Sequence, residues 1–285
     1  MEQITITQHP RIAILMATYN GERFLAEQIG SILGQTNHYW HLYIHDDGSK
    51  DNTVNIINDH ARKHPDEITV LDYPPQGGAL SNFMSLLERV EADYYMFSDQ
   101  DDVWMPEKVE LTLQKIREME KTFSANVPLV AFCDLKVVNS RLEVKDDSFF
   151  HARGIERMVF KERFFHLTNM VPGCTMLFNR IARDTASPYQ ESKYIIHDYH
   201  IILNALAHGG HIAGIPQPLI SYRQHDDNVV GAGEKSDTVG NRLKSLGDVF
   251  RENKERYQAV KSITGLSLFT YLIIKIQSLL LISRK

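Results

Sequence analysis

The chain has 285 residues, with 31 lysines and arginines against 36 aspartates and glutamates, and a formal net charge of −5 at pH 7. That balance lacks the basic footprint of a nucleic-acid-binding protein, and the length allows a sizeable hydrophobic core. The two cysteines, Cys133 and Cys174, lie in apolar stretches and read as buried thiols of a reducing compartment, not as a disulfide framework.

The first residues, Met1-Glu-Gln-Ile-Thr5, lack the basic start and apolar core of a signal peptide, so a cytoplasmic location is expected. Ile12 to Ala17 is a short, continuous apolar run, the pattern of a strand buried on both faces. It ends in the polar turn Thr18-Tyr19-Asn20-Gly21, and a helix follows with Phe24, Leu25, Ile29, Ile32 and Leu33 on one face. A second strand, Leu42 to His45, runs into Asp46-Asp47-Gly48-Ser49. Asp51-Asn52-Thr53 opens a helix carrying Val54, Ile56 and Ile57. Ile68 to Leu71 reads as a third strand, Gln76-Gly77-Gly78 as a loop, Ala79 to Val90 as a helix and Tyr94 to Phe97 as a fourth strand. Strands alternating with helices predict right-handed crossovers and a largely parallel sheet. Ligands of such sheets bind beyond the carboxyl ends of the strands. The polar clusters at 18–22, 46–49 and 99–102 should therefore share one edge.

The fourth strand leads into Ser98-Asp99-Gln100-Asp101-Asp102-Val103-Trp104. Three carboxylates within four positions repel one another unless a cation neutralises them. Oxygen ligands select a hard ion such as Mg²⁺ or Mn²⁺, whose open positions suit a diphosphate. A solvated acidic turn is the plainer alternative. Asp102 faces an acceptor or caps the next segment. Trp104 packs against a sugar or covers the core. Pro106 stands near the start of a helix with Val109, Leu111, Leu113 and Ile116, where proline is tolerated.

Residues 141–165 read as a loop with a short helix, and Val171 to Phe178 as a loop feeding a strand, with Gly173 close to a ligand. Tyr194 to Asp198 leads into a helix over Tyr199–Leu206 that ends at Gly209-Gly210. By residue type alone Asp198 is a helix cap. A strand over Pro218–Tyr222 delivers Arg223-Gln224-His225. His225 suits a metal or a diphosphate, and Arg223 suits phosphate charge, against the alternative of a surface loop. Residues 230–262 are polar and charged. The 17 residues Leu266 to Ile282 are strongly apolar, with Lys275 in their middle and Arg284 and Lys285 after them. The run is at the lower limit for crossing a bilayer, and a central charge is costly there. The expected role is a helix in the membrane interface or on a partner subunit, with a core helix as the alternative.

Taken in order, Ala17-Thr18-Tyr19-Asn20, Asp46-Asp47-Gly48-Ser49, Ser98-Asp99-Gln100-Asp101-Asp102 with Trp104, Pro106 and Lys108, then His197-Asp198 and Tyr222-Arg223-Gln224-His225, resemble the family 2 glycosyltransferases of the GT-A fold. The Ser-Asp-Gln-Asp-Asp and Tyr-Arg-Gln-His forms look most like bacterial rhamnosyltransferases of cell-wall or O-antigen polysaccharide. The resemblance implies an α/β fold with a Rossmann-like, mostly parallel sheet flanked by helices. It implies a transferase domain over 1–230, with a nucleotide-sugar half (1–103) and an acceptor and catalytic-base half (104–230), and a C-terminal helical region over 231–285. It places Thr18, Tyr19, Asn20, Glu22, Asp46, Asp47, Gly78, Asn82, Asp99, Gln100 and Arg223 at the donor. Asp46 meets the base imide, while Gly77, Gly78 and Asn82 are weaker candidates. Asp101, Asp99 and His225 hold Mn²⁺ or Mg²⁺, and Asp102 and Trp104 face the acceptor. Asp198 takes the general-base position of an inverting single displacement.

The partners so implied are a dTDP- or UDP-linked sugar and a saccharide acceptor, lipid-linked, with peripheral contact at the inner face of the cell membrane. A UDP-hexose donor is the alternative within the class. A sugar nucleotidyltransferase would carry a Gly-rich, basic N-terminal loop, which Thr18-Tyr19-Asn20-Gly21-Glu22 is not. A non-catalytic nucleotide-sugar-binding or tethering module would have no need of Asp99, Asp101 and Asp198 together.

Overall fold

The computed structural model describes residues 11–189, 193–225 and 246–282. The stretch 226–245, which follows His225, and the terminal Arg284 and Lys285 lie outside them.

The first apolar run forms β1 (Ile12–Thr18), followed by α1 (Leu25–Leu33), β2 (Trp40–Asp46), α2 (Thr53–Lys63), β3 (Ile68–Val70), α3 (Ala79–Arg89) and β4 (Tyr94–Ser98). The strands pair in parallel in the order β3-β2-β1-β4. Their side chains are buried on both faces: Ile14, Leu15, Met16, Leu42, Ile44, Tyr95 and Met96 have no exposed surface. Thr18 pairs with Asp46, and Met16 with Ser98. The three polar loops that follow these strands therefore leave the sheet at one edge.

The second half contributes β5 (Val103–Trp104), α4 (Lys108–Phe123), β6 (Leu129–Asn139), β7 (Val144–Asp146), α5 (Phe149–Ala152), α6 (Glu156–Val159), 3-10 turns over Glu162–His166 and Gly173–Thr175, β8 (Met176–Asn179), α7 (Arg180–Thr185), α8 (His197–Ala207) and β9 (His211–Gln224). The sheet continues from β4 through β8, β6 and β9 to β5, with β7 on β6. Here the pairing is mixed. β8 runs antiparallel to both β4 and β6, and only β6 and β9 pair in parallel. β6 extends over eleven residues, almost all buried, although polar Asp134 and Lys136 interrupt its apolar pattern. β9 begins well before the expected Pro218, and its register against β6 shifts near Cys133 and Asp134.

Two C-terminal helices, α9 (Leu246–Thr264) and α10 (Leu268–Ile282), complete the described chain. α9 packs on α8, while α10 packs on the Glu162–His166 turn and α6. Among the described residues no single helix is long and apolar enough to cross a membrane.

Candidate active site

The loops at the sheet edge are tied to one another mainly by side chain to backbone hydrogen bonds. Asn20 N–H donates to Ser49 Oγ at 2.8 Å, and Asn20 Oδ1 accepts from Lys50 N–H at 2.8 Å. Glu22 Oε2 accepts from Asn52 N–H, and Glu22 N–H donates to Asp51. Asp46 Oδ1 accepts from the Thr18 and Ser49 hydroxyls, and its Oδ2 accepts from Gly48 and Ser49 N–H. Asp47 accepts from Gln76, Gly77 and Gly78 N–H. Gly78 there has φ of 142°, a conformation that side chains resist. Asn82 is wholly buried and bonds His45 through both its Oδ1 and its Nδ2.

These contacts give the expected donor-site residues a role in holding the loops. Asp46, Asp47, Asn20 and Glu22 shape and brace the loops, through both carboxylate oxygens of Asp46 and Asp47, Asn20 Oδ1 and Glu22 Oε2. Asn82 has no surface to offer. Thr18 is 2% exposed and faces Asp46, whereas the Tyr19 ring is 55% exposed at the same edge.

The acidic loop is held from both sides. The Gln100 amide makes two bonds with the Tyr19 backbone, Nε2 to O and N to Oε1, both 2.9 Å. Asp101 Oδ2 lies 2.7 Å from His225 Nε2, so strand β9 delivers the imidazole to the acidic loop as the motif order implied. Arg223 does not reach outward to phosphate. Its side chain is 2% exposed, Nε donates to Asp101 O, one terminal nitrogen to Ser140 O, and the other to Glu27. Its guanidinium stacks 4.4 Å from the Phe24 ring, which also lies 5.1 Å from the His225 ring. Phe24 and Glu27 are three residues apart, so they share a helical face. That spacing is the sequence signal that could have found this brace.

Asp99 is half-buried, and Asp102 and Cys174 are buried; one ligand atom of each lies within 4.8 Å of the others. Burial, with the charges of Asp101 and then Asp198, pushes Asp99 up to about 7. Burial raises Asp102 and Cys174 as well, and lowers the Lys108 ammonium to about 7. Lys108 Nζ lies 2.9 Å from the centroid of the Trp104 ring. With the Gln28 amide oriented to suit its neighbours, Trp104 Nε1 donates to Gln28 at 3.1 Å. Trp104 is 2% and Asp102 0% exposed. Both therefore belong to the floor beneath the site, and the expectation that they face an acceptor is corrected.

Asp198 sits in the first turn of α8, two residues past the N-cap Ile196, whose own side chain makes no capping bond. Its Oδ1 accepts from Tyr199 N–H at 2.6 Å. The helix begins at His197, earlier than the expected Tyr199. Gly173 lets this turn come close: a Cβ there would stand 2.8 Å from His197 Nε2 and 3.3 Å from Asp198 Cβ. The glycine makes room for the Asp198 turn. Asp198 is near enough to the acidic loop for its charge to raise Asp99.

The convergent oxygen and imidazole donors of Asp101 and His225 fit a divalent ion such as Mn²⁺ or Mg²⁺, with Asp99 beside them. Asp102 and Cys174 fit it less well, because both are buried and burial pushes their pKa values up, against the charged form a metal ligand needs.

A parallel nucleotide-type half, an acidic loop at its edge and a carboxylate brought to it from a mixed second half define a GT-A glycosyltransferase. The chain belongs to glycosyl transferase family 2, whose model matches residues 13–185. It is similar to the dTDP-rhamnosyl transferase RfbG of Shigella flexneri, 30% identical over 235 residues, covering 76% of this chain and 74% of that protein. Among solved structures it is similar to a mannosyltransferase from Pyrobaculum calidifontis in complex with GDP-Man and Mn²⁺, with a TM-score of 0.61 at 14% identity over 96% of this chain and 81% of that one. S. aureus TarS 1-349 in complex with UDP-GlcNAc gives a TM-score of 0.55 at 18% identity, over 76% of this chain and 60% of that one. At such identities the two structures speak for the fold alone.

Proposed function

We propose that this glycosyltransferase moves L-rhamnose from dTDP-rhamnose to a saccharide hydroxyl, on a lipid-linked acceptor, with inversion at the anomeric carbon. The pathway is bacterial surface polysaccharide synthesis. The observation that carries the transfer chemistry is Asp198, only 3% exposed and close enough to the acidic loop for its charge to act on Asp99. The likeness to the rhamnosyl transferase supports the donor assignment.

The Tyr199 N–H fixes the rotation of the Asp198 carboxylate. In that orientation it takes the proton from an acceptor hydroxyl as the hydroxyl attacks, the task of a general base. Asp101 and His225, with Asp99, would hold a divalent ion, which supplies Lewis-acid stabilisation to a departing nucleoside diphosphate. The Gln100 pairing keeps the acidic loop against the Tyr19 loop, and the exposed Tyr19 ring offers an aromatic face for the donor.

Asp198→Asn tests the reading. It keeps size and removes basicity. The variant should melt near wild type and bind donor normally, yet transfer sugar at least about 100-fold more slowly, the lower range for loss of a general base. Transfer within a few-fold of wild type would overturn the assignment. Thermal shifts with dTDP, UDP and GDP sugars settle the donor, because selective binding raises stability by mass action.

A further inference from the structure

α10 turns its apolar residues outward. Leu268, Phe269, Leu272, Ile273, Ile276, Leu279 and Leu280 are 39–75% exposed. At 100° per residue these seven positions fall within an arc of about 140°. The opposite side, Tyr271, Ile274 and Ser278, is buried against the protein. Lys275, which the sequence places in the middle of the apolar run, does not interrupt the outward face. Its Nζ donates to Asn253 of α9 at 2.9 Å. A contiguous apolar stripe of this kind marks an interaction surface.

We propose that this face docks on an anionic lipid surface, with α10 lying in the interface plane. Two arguments select that occupant. The helix has 15 residues, roughly 22 Å at the usual rise, too short to span a hydrocarbon core of about 30 Å. From Gly265 to Lys285 the sequence holds no acidic residue, and besides Lys275, which is engaged with Asn253, it holds two cations, Arg284 and Lys285. Such a segment complements anionic headgroups and adds roughly 1 kcal/mol per cation near them, whereas a second copy would bring like charge.

The face also lies on the half of the protein that carries the base. α10 packs on the Glu162–His166 turn, and Phe165 O in that turn accepts the hydroxyl of Tyr199, the neighbour of Asp198, at 2.7 Å. Docking would thus hold the Asp198 side near a lipid-borne acceptor. Only this last point rests on the transferase reading.

The test is sedimentation of the full chain with vesicles of phosphatidylcholine alone and mixed with phosphatidylglycerol, at low and high salt. Wild type should pellet with the anionic vesicles and less so at high salt. Ile276→Glu with Leu279→Glu alters only exposed positions. It should weaken vesicle binding about tenfold or more, because charge opposes insertion of the apolar face, while melting temperature and nucleotide binding stay at wild-type values. Wild type remaining in the supernatant, or the variant pelleting equally, overturns the proposal. So does a wild-type dimer that the variant converts to monomer without lipid, since the face then covers a second copy. Nucleotide binding and Asp198-dependent transfer, measured on the same samples, report separately on the transferase reading.

Discussion

Arg223 is a buried cation whose donors all point at protein. It joins α1 through Glu27, the acidic loop through Asp101 O and the segment after β6 through Ser140 O. A lysine, with one nitrogen, cannot make that fork. The residue type that suggests phosphate binding in sequence here positions Asp101 and His225 instead. Lys108 is a second buried cation, and its Nζ, like Asp102 Oδ2, has no hydrogen-bond partner among the described residues. Burial lowers its pKa from 10.5 to about 7. Between those values the unfolded chain binds a proton that the folded chain excludes, so stability from this group is present above pH 10.5 and is lost as pH falls to about 7. Lys108→Met removes that dependence. The melting temperature of the variant relative to wild type should be highest near neutral pH and should shrink as the pH is raised toward 10. A difference that stays level across that range would mean Lys108 remains charged in the fold.

At the scale of elements, the critical join is between the Gly173–Thr175 turn and the start of α8. The two approach so closely that Gly173→Ala must shift His197, Asp198 or both. Misplacing a catalytic group by about 1 Å can cost on the order of 100-fold in rate. Gly173→Ala should therefore cut turnover by about that factor with donor and metal affinity held within a few-fold. Calorimetry and initial rates on one preparation decide it, and an unchanged rate would show that the turn yields without moving the base. The first four strands were legible in the sequence because each is a continuous apolar run closed by a polar turn. β6 is not legible, since Asp134 and Lys136 break its pattern, and Asp134 is satisfied by Ser148, Leu135 and Phe150, which are tertiary and local turn contacts. β9 was read only from Pro218, because Gly214, Pro216 and Pro218 resemble loop punctuation until its pairing with β6 is seen. The site followed the same division. The order of motifs located Asp99, Asp101, Asp198 and His225. It did not reveal that the oxygens of Asp47 hold three backbone N–H groups, because those bonds join loops 29 to 31 residues apart in sequence.

In the whole molecule, one sheet joins a parallel half that carries the nucleotide-side loops to a mixed half that carries Asp198, the proposed base, and α9 and α10 pack on elements of the latter. That asymmetry predicts separable effects of removing α10. Deleting 265–285 takes away Tyr271 and Ile274, both 5% exposed, and uncovers the surface of the Glu162–His166 turn beneath them. Burial of two such side chains is worth roughly 3–6 kcal/mol together, which corresponds to a fall in melting temperature on the order of 10 °C for a chain of this size. α9 stays packed on α8 with Val260 buried, while Tyr257 loses its ring contact with Tyr271 and its bond to Leu266 O. The truncated chain should thus remain folded at room temperature, bind nucleotide within about twofold of full length, and lose its hold on anionic vesicles. Transfer to a soluble saccharide should survive better than transfer to a lipid-linked one, because only the second needs the surface that α10 supplies. If truncation abolishes nucleotide binding while circular dichroism still shows a folded chain, α10 supports the donor site itself, and the division of labour between the two halves is wrong.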